Sequence, residues 1–563
     1  MLFLSHFYRF QYLKGLLPII VLARFVSICY DEIRRKKPIF KKKEQIIMAI
    51  QKAANVKLVI QPVIGIMVHE YVFEGPCRFG AGETLTLEFD RMVGADGYKV
   101  FRDNLAKYIQ PEPDFEMLDP VSCEITESFE VTEAMMAELT KNDPKVDVYL
   151  FTSIGRTYPI VLALATRTKK PFICLQECCD KTQVPAMLRA RGLECVSEMT
   201  WEETVKKMKA YRLKKVLSKS KMLLVTRAFT NSALVSACDG FINIDDAAQR
   251  LGFGYQCVDV HEFLDQSHME GTPCPTLPTR KPMQFTAADR AEWEAMADKL
   301  IAGAGSCNVA KDEVVNGLRF YATVKKFMDH YECNAFSAPC PEMCATTRLN
   351  EEHMTPCFAH SLLNAEGISS ACEYDIPGLV AQIMLSSAAK AGAYMGNCVP
   401  LYYEADGKTV ATFMAPSNDL QDKVNAMTDE ERANLIITFH SSINLQMRGY
   451  DAEPLSYDIR NYTASGWGPT MRHDFRENKG ETLTMARISP DAKTLFVARG
   501  TVVAGTGEQM SGCTQGVLFM VKDSKDFFHK QCNVGNHVPM VMADCFDEIV
   551  ELGHLLGLNV VTA

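Results

Sequence analysis

The stretch Val146-Asp-Val-Tyr-Leu-Phe-Thr152 has the mostly apolar composition of a strand that is buried in a sheet. A helical pattern over residues 157–166 follows it, and a second buried-strand pattern covers residues 171–175. A similar strand pattern lies upstream, within residues 56–66. Strands that alternate with helices in this way predict a parallel sheet wrapped by helices. We therefore predict an α/β fold for this part of the chain.

The alternation of strand and helix is repeated further along the chain, whereas the last part changes character. Residues 222–226 and 256–260 form strand patterns, and Thr286 is a predicted N-cap for a helix over 287–302. Residues 482–488 and 494–503 are strand patterns joined by a polar turn. The predicted fold is α/β, with two doubly wound α/β domains followed by a mainly β, barrel-like C-terminal domain.

These patterns predict four segments. Residues 55–215 form the first α/β domain, residues 216–390 the second, and residues 391–563 the β-rich domain. Residues 1–54 are predicted to be an N-terminal extension outside the fold, and Met48 is an alternative start. The apolar run near residues 16–23 is too short to span a bilayer, so no membrane partner is predicted. A basic cluster after it leaves association with a membrane surface as an alternative.

Composition excludes some classes of protein. The 563-residue chain has 47% hydrophobic residues and a net charge of −9, so no broad basic face for nucleic acid is expected. The 20 cysteines form no secreted-domain framework, which predicts reduced thiols and a cytoplasmic location. Cys340 and Cys344 have zinc-ligand spacing but no matching second cysteine pair. Buried, small apolar cysteines are the favoured interpretation.

Two motifs combine carboxylates with an imidazole. Residues 366–375 read Glu-Gly-Ile-Ser-Ser-Ala-Cys-Glu-Tyr-Asp, so Glu373 and Asp375 follow small residues at a predicted element end. Far downstream, Gly535-Asn536-His537 has the composition of a tight turn. A carboxylate and an imidazole together can hold a divalent cation or act as an acid–base pair. Solvated carboxylates and an ordinary turn are the alternative interpretation.

The amino-acid sequences of several segments resemble those of the L-fucose/L-arabinose isomerase family. The segments are residues 356–367, 371–377, 480–487 and 535–537. The resemblance covers about residues 330 to 560, is weaker before them, and is absent from roughly the first 50. It implies an aldose–ketose isomerase of carbohydrate metabolism, an intramolecular oxidoreductase that acts through an enediol. It also implies Mn2+, a small-molecule sugar substrate, and a homo-oligomer, either a trimer or a hexamer.

The resemblance also assigns roles to residues. Glu373 matches the family glutamate that is both metal ligand and acid–base residue, and His537 matches the histidine ligand. Asn397 stands where the family has an aspartate. The predicted catalytic residues are thus Glu373 and Asn397, and the predicted metal ligands are Glu373, Asn397 and His537. An amide can ligate through its oxygen but cannot shuttle a proton.

Further residues are candidates for the substrate site. Asn536 and Asp375 are predicted to bind substrate, and Trp467 to stack on a sugar face, with core packing as the alternative for Trp467. Asp375 replaces the missing carboxylate only if the segment from Glu373 is extended, because residues two apart share a face only in a strand. Many divergent relatives in the family that this chain resembles have a His-Cys pair before a proline, where this chain has residues 412–416 and no histidine. His440, at a strand end, is a candidate substitute for that histidine, although a structural role is favoured.

Four basic residues, Arg472, Arg487, Lys493 and Arg499, fall in or near the β region. They suit an anionic sugar, or else they are surface charges alternating along strands, which is the favoured interpretation. Three functions stay open. The first is the aldose–ketose isomerase, and the second is a non-catalytic sugar-binding sensor on the same fold. The third is an isomerase of a phosphorylated or sulfonated sugar with a rearranged metal shell.

Overall fold

The computed structural model describes Ile50 and residues 52–70, 86–175, 182–226, 242–271, 284–345, 347–411, 420–463 and 466–563. The predicted N-terminal extension lies almost wholly outside the described residues. Residues 50–563 form one compact unit. Within the described ranges, no helix has both the length and the apolar composition that crossing a bilayer requires.

The first sheet is parallel, and its strands run in the order β2-β1-β4-β5-β6, with β3 also paired to β1. Its strands are β1 (Leu58–Val68), β2 (Phe115–Met117), β3 (Val121–Thr126), β4 (Val148–Ile154), β5 (Phe172–Cys174) and β6 (Cys195–Ser197). Its helices are α1 (Leu87–Tyr108), α2 (Glu133–Thr140), α3 (Tyr158–Thr168), α4 (Gln183–Arg189) and α5 (Trp201–Lys219).

Helices cover both faces of this sheet. Tyr149 and Phe151 of β4 pack in one apolar cluster with side chains of α2, α3 and α4. Val148 and Leu150, which alternate with them along the strand, pack in another cluster with α1 and α5. The apolar run quoted from the sequence is therefore buried on both sides, as predicted.

The second sheet is also parallel, in the order β10-β9-β7-β8. Its strands are β7 (Lys221–Thr226), β8 (Gly254–Asp259), β9 (Ala335–Ser337) and β10 (Ser370–Ala371). Its helices are α6 (Ile244–Leu251), α7 (Val260–Asp265), α8 (Ala287–Gly303), α9 (Lys311–Tyr331), α10 (Cys340–Ala345), α11 (Arg348–Glu351), α12 (Pro356–Glu366) and α13 (Ile376–Ala389). The predicted N-cap is confirmed, since the Thr286 hydroxyl accepts a hydrogen bond from the Asp289 amide.

The remainder is a mainly antiparallel sheet with an added hairpin. Its strands are β11 (Asn397–Pro400), β12 (Leu435–His440), β13 (Asp458–Thr463), β14 (Gly466–Arg472), β15 (Thr482–Ile488), β16 (Thr494–Thr506), β17 (Gln515–Met520), β18 (Met540–Val541) and β19 (Asn559–Thr562). Strands β13 and β14 pair as the hairpin, and among the described strands of the sheet only the pair β16–β19 is parallel. Helices α14 (Leu420–Asn425), α15 (Asp429–Ala433), α16 (Ser524–Gln531) and α17 (Phe546–Leu555) accompany them. The mixed α/β class with a β-rich C-terminal part is confirmed.

The prediction of a barrel is wrong. In the described part of the chain the antiparallel sheet runs in the order β11-β12-β17-β16-β15-β18, with β19 paired to β16, and is not closed. Its two edges meet only at isolated bridges, Tyr394 to Met540 and Asn397 to His537. Strands of four and two residues are too short to continue the ladder around the ring. The bridges nevertheless bring the loop before β18 against β11.

Helix α13 joins the second sheet to the third. Its residues are buried along almost the whole length, and Leu379 and Ile383 share an apolar cluster with Ala486 and Val497 of β15 and β16. A helix that is apolar all round belongs in a core rather than on a surface. The N-terminus of α13 is therefore held where the parallel and antiparallel sheets meet.

A buried arginine ties α5 to α13. Arg212 has 2% of its surface exposed, and its guanidinium donates hydrogen bonds to the carbonyl oxygens of Val56, Ser387 and Ala54 at 2.8, 2.9 and 2.7 Å. Asp114 lies 3.4 Å from its Nε. One side chain thus satisfies three carbonyls from two separate segments, residues 54–56 and helix α13.

We expect Arg212→Met to lower the free energy of unfolding by about 3 kcal/mol, because the buried carbonyls of Val56 and Ser387 lose this donor and that of Ala54 keeps only Lys390. Chemical denaturation measures the change. Lys214→Met is the matched control, since Lys214 lies on the same helix with 36% of its side chain exposed beside Glu194. This control is expected to change stability by less than about 0.5 kcal/mol. Equal effects of both variants would show that the carbonyl contacts of Arg212 contribute nothing.

Candidate active site

The loop between β10 and α13 carries both carboxylates of the first motif. Glu373 and Tyr374 adopt consecutive left-handed conformations, with φ of 59° and 57°. The Tyr374 amide donates to the Ala338 carbonyl at 3.0 Å, which anchors the turn on β9's carboxyl end. Asp375 then caps α13, where its side chain accepts from the Gly378 amide at 2.9 Å. The segment is therefore not extended.

Both carboxylates nevertheless reach His537. Oδ2 of Asp375 lies 3.0 Å from Nδ1 of His537, and Oε2 of Glu373 lies 3.7 Å from Nε2 of the same ring. The two acids thus approach one imidazole from its two nitrogens. The prediction that they converge only in an extended strand is wrong, because two left-handed residues turn the chain between them.

A second imidazole completes the cluster. His440 ends β12, and its Nε2 lies 3.3 Å from Oε1 of Glu373. The rings of His440 and His537 are 5.3 Å apart and nearly perpendicular. Both imidazoles are fully buried, whereas 14% of the Glu373 side chain is exposed. Each oxygen of Glu373 therefore faces a different histidine, and Glu373 is the member of the three that solvent reaches.

The donor set fits a divalent metal ion. One ligand atom from each of Glu373, His440 and His537 lies within 4.8 Å of the other two. One carboxylate and two imidazoles suit Mn2+, Fe2+ or Zn2+. Asp375 bound to Nδ1 of His537 leaves Nε2 as the ligating nitrogen, which is the usual arrangement behind a metal-bound histidine.

The predicted ligand Asn397 lies at the edge of this cluster. It opens β11, opposite His537 at the isolated bridge, and its side-chain oxygen accepts a hydrogen bond from the side chain of Asn536. The structure thus brings together Asn397, Asn536 and His537, and it adds His440 beside Glu373. Ligation by Asn397 stays a prediction.

A buried ion pair holds the imidazole of His537 in place. NH1 of Arg487 lies 2.7 Å from Oδ2 of Asp375 and 2.7 Å from the His537 carbonyl, and its Nε donates to the Val534 carbonyl at 2.7 Å. Burial would raise the pKa of Asp375, but the charge of Arg487 and hydrogen bonds from His537 and Arg487 lower it below its ordinary value. Gly535, with φ of 115°, lets the loop approach this guanidinium.

The prediction that the four basic residues are surface charges is wrong for two of them. Arg472 and Arg487 are each only 1% exposed. Lys493 and Arg499 have 61% and 44% of their side chains exposed, as predicted. Arg472 and Arg487 therefore lie in the interior, where their charges act on neighbouring groups with little screening by water.

Two thiols border the cluster. Sγ of Cys372 lies 3.3 Å from Sγ of Cys340, and both are near Glu373. Hydrogen bonds with Cys340 and Cys357, together with burial, raise the pKa of Cys372 well above its ordinary value, which keeps this thiol neutral. The interpretation of Cys372 as a buried small residue fits the structure. The side chain of Cys344 lies outside the described residues.

Trp467 lies in the hairpin, in β14. It has a positive φ of 78°, and its ring stacks on Tyr462 with centroids 6.2 Å apart. The Tyr462 hydroxyl is 3.2 Å from Sγ of Cys513. Stacking of Trp467 on a sugar stays a prediction.

His440 is the residue that sequence reasoning undervalued. The sequence favours a structural role for His440, yet its imidazole contacts Glu373 directly. Its one local signal is the position of His440-Ser441-Ser442 at the carboxyl end of an apolar strand. Polar residues at such ends face the loops that carry function.

No family model matches this chain, and no curated protein matches it in sequence. The class of this protein is therefore defined by its own fold and by the geometry of its site. It is a mixed α/β protein with one carboxylate between two buried imidazoles, where the second and third sheets meet. Membership of the L-fucose/L-arabinose isomerase family stays a prediction.

We expect Arg487→Met to lower the free energy of unfolding by about 3 kcal/mol, because the buried Asp375 carboxylate loses its cation. The double variant with Asp375→Asn is expected to lose less than the sum of the two single changes. Urea denaturation of the four proteins measures this coupling. Arg499→Met, on the exposed face of the same sheet, is the control and is expected to change stability by less than about 0.5 kcal/mol.

A second prediction concerns His360, which lies in α12 and bonds to Ser370 through Nδ1 at 2.7 Å. Burial, with a smaller effect of His440, lowers the pKa of His360 to about 3. Since the unfolded value is about 6.5, the folded state loses stability as pH falls below that value. Between pH 7 and 5 the loss from this group is about 2 kcal/mol.

We therefore expect His360→Asn to be less sensitive to acid than the wild type when free energies of unfolding are compared at pH 7 and pH 5. His529→Asn is the control, because His529 is exposed and is expected to retain the wild-type dependence. A His360→Asn protein with the full wild-type dependence would contradict the burial of a neutral imidazole.

Proposed function

We propose that this protein is an aldose–ketose isomerase that interconverts a sugar through an enediol. The observation that carries the proposal is the position of Glu373 between His440 and His537. The isomerisation moves one proton between neighbouring carbons and another between neighbouring oxygens. A carboxylate flanked by imidazoles offers groups for both transfers.

Glu373 would act as the base. It removes the proton at C2 of the open-chain aldose, and its exposed fraction gives substrate access to the carboxylate. Return of that proton to C1 produces the ketose. Nε2 of His440 lies close enough to Glu373 to carry the hydroxyl proton between O2 and O1 while it holds no metal ion, because a coordinated nitrogen has no free lone pair for a proton.

A divalent cation, Mn2+ by preference, would be held by Glu373, His440 and His537 and would supply a Lewis acid for the carbonyl oxygen. The Asp375–Arg487 pair fixes the tautomer and direction of His537, so these two residues act through the histidine. Asp375 is thus better proposed as a positioning residue than as a substrate ligand.

Other parts of the proposal rest on the resemblance. Asn397 and Asn536 bond to each other beside His537, which supports a shared place at the edge of the substrate site. A homo-oligomer, either trimer or hexamer, and a cytoplasmic location are proposed with the function. The free thiols of the described cysteines agree with a reducing compartment.

A sugar-binding sensor is the second candidate. Its support is the amide at position 397, because an amide carries no charge to a metal and its oxygen is already bonded to Asn536. A sensor would bind the sugar without moving the C2 proton.

We expect Glu373→Gln to reduce sugar-dependent exchange of the C2 proton in D2O by about 10³-fold or more, because an amide is no base. NMR across a panel of aldoses, with and without Mn2+, measures the exchange. Glu430→Gln, at an exposed carboxylate, is the matched control and is expected to behave as the wild type. Unchanged turnover in Glu373→Gln would place the base elsewhere, and a folded protein that binds a sugar without exchange would be a sensor.

A further inference from the structure

The hairpin carries a buried arginine that forms no ion pair with a carboxylate among the described residues. Arg472, in β14, is 1% exposed. Its Nε donates to the Thr470 hydroxyl at 3.2 Å and its NH2 to the Gly512 carbonyl at 2.8 Å. NH1 is buried and makes no hydrogen bond to the described part of the chain, where no carboxylate pairs with this guanidinium.

Arg472 lies next to the proposed catalytic cluster. The Gly512 carbonyl that accepts from Arg472 also accepts from the Ser441 hydroxyl, at 2.6 Å. Ser441 directly follows His440, which contacts Glu373. One carbonyl oxygen therefore connects the arginine to the strand end that carries a site histidine.

A buried guanidinium without an anion is energetically unfavourable. Arginine stays charged in proteins, and an unpaired buried charge is strongly destabilising. The other buried arginine of this region of the sequence, Arg487, is neutralised by Asp375. Among the described residues of the cluster formed by Glu373, His440 and His537, the carboxylate is Glu373.

Binding of a divalent cation would leave Arg472 still less compensated, because the two positive charges of the cation exceed the single negative charge of Glu373. The site would then carry excess positive charge. Oxyanions are bound best by a guanidinium that offers a free N–H edge, and such charge-assisted hydrogen bonds are about twice as strong as neutral ones.

We propose that NH1 of Arg472 binds an anionic group of the substrate, so that the protein acts on a sugar bearing a phosphate, sulfonate or carboxylate. The identification of the bound molecule as a sugar rests on the proposed function, whereas the anion site itself rests on Arg472 alone. The arginine supplies recognition, and the anion supplies the missing counter-charge.

The first test is binding to the metal-free full-length protein, with inorganic phosphate as the probe and chloride at equal ionic strength as the reference. We expect phosphate to raise the Tm of the wild type but not of Arg472→Met. Without phosphate, Arg472→Met is expected to keep the wild-type Tm or exceed it, because removing an uncompensated buried charge offsets the lost hydrogen bonds. Arg472→Lys retains a charge and is expected to keep part of the phosphate effect.

Arg460→Met is the matched control. Arg460 lies on the paired strand β13 and already has a carboxylate partner, Asp458, at 3.2 Å. This variant is expected to respond to phosphate as the wild type does. No response in the wild type, together with a lower Tm of Arg472→Met, would overturn the inference and make Arg472 a structural residue.

The second test compares neutral aldoses with their phosphate, sulfonate and uronate forms in the C2 exchange experiment. We expect exchange with one anionic class, and a roughly 10- to 100-fold lower kcat/KM for it in Arg472→Met. The class that exchanges identifies the anion. Equal turnover of neutral aldoses, insensitive to Arg472→Met, would overturn the inference while the isomerase stands. Phosphate binding that depends on Arg472, without exchange of any sugar, would support the anion site and refute the isomerase.

Discussion

The buried contact of Asp375 with Arg487 and His537 is the constraint on which the rest of the site depends. Asp375 begins α13 at the edge of the second, parallel sheet, whereas Arg487 lies in β15 of the antiparallel sheet. Their ion pair fixes the relative position of the two sheets at one point. Because His537 bonds to the same carboxylate, the imidazole is placed by the contact that joins the sheets.

Bringing the two carboxylates to His537 requires an unfavourable local backbone conformation. Glu373 and Tyr374 occupy the left-handed region without being glycine, which costs about 1 kcal/mol or more for each residue. Such strain is retained where surrounding structure enforces it, and it is common at functional sites. Here the apolar packing of α13 against both sheets supplies the enforcement. The strained turn directs Glu373 and Asp375 to opposite nitrogens of one ring.

Local sequence was sufficient for the elements and for part of the site. The apolar run at β4, the N-cap at Thr286 and the β strands near the C-terminus all follow from patterns within a few residues. Glu373 and His537 were found through motifs and prove to be neighbours. The contact of His440 with Glu373 and the open form of the antiparallel sheet do not follow from local sequence. Strand-edge pairing and ring contacts depend on residues far apart in the chain.

The sequence by itself determined the α/β order, the β-rich end and the presence of carboxylate and imidazole motifs, since periodicity and turn chemistry are local. It did not determine which charges would be buried or which would be paired. Arg472, Arg487 and Arg499 look alike along the chain, yet the folded protein buries two of them and neutralises one of those. Only the tertiary structure decides this, because desolvation and counter-charge depend on what packs against a side chain from distant segments.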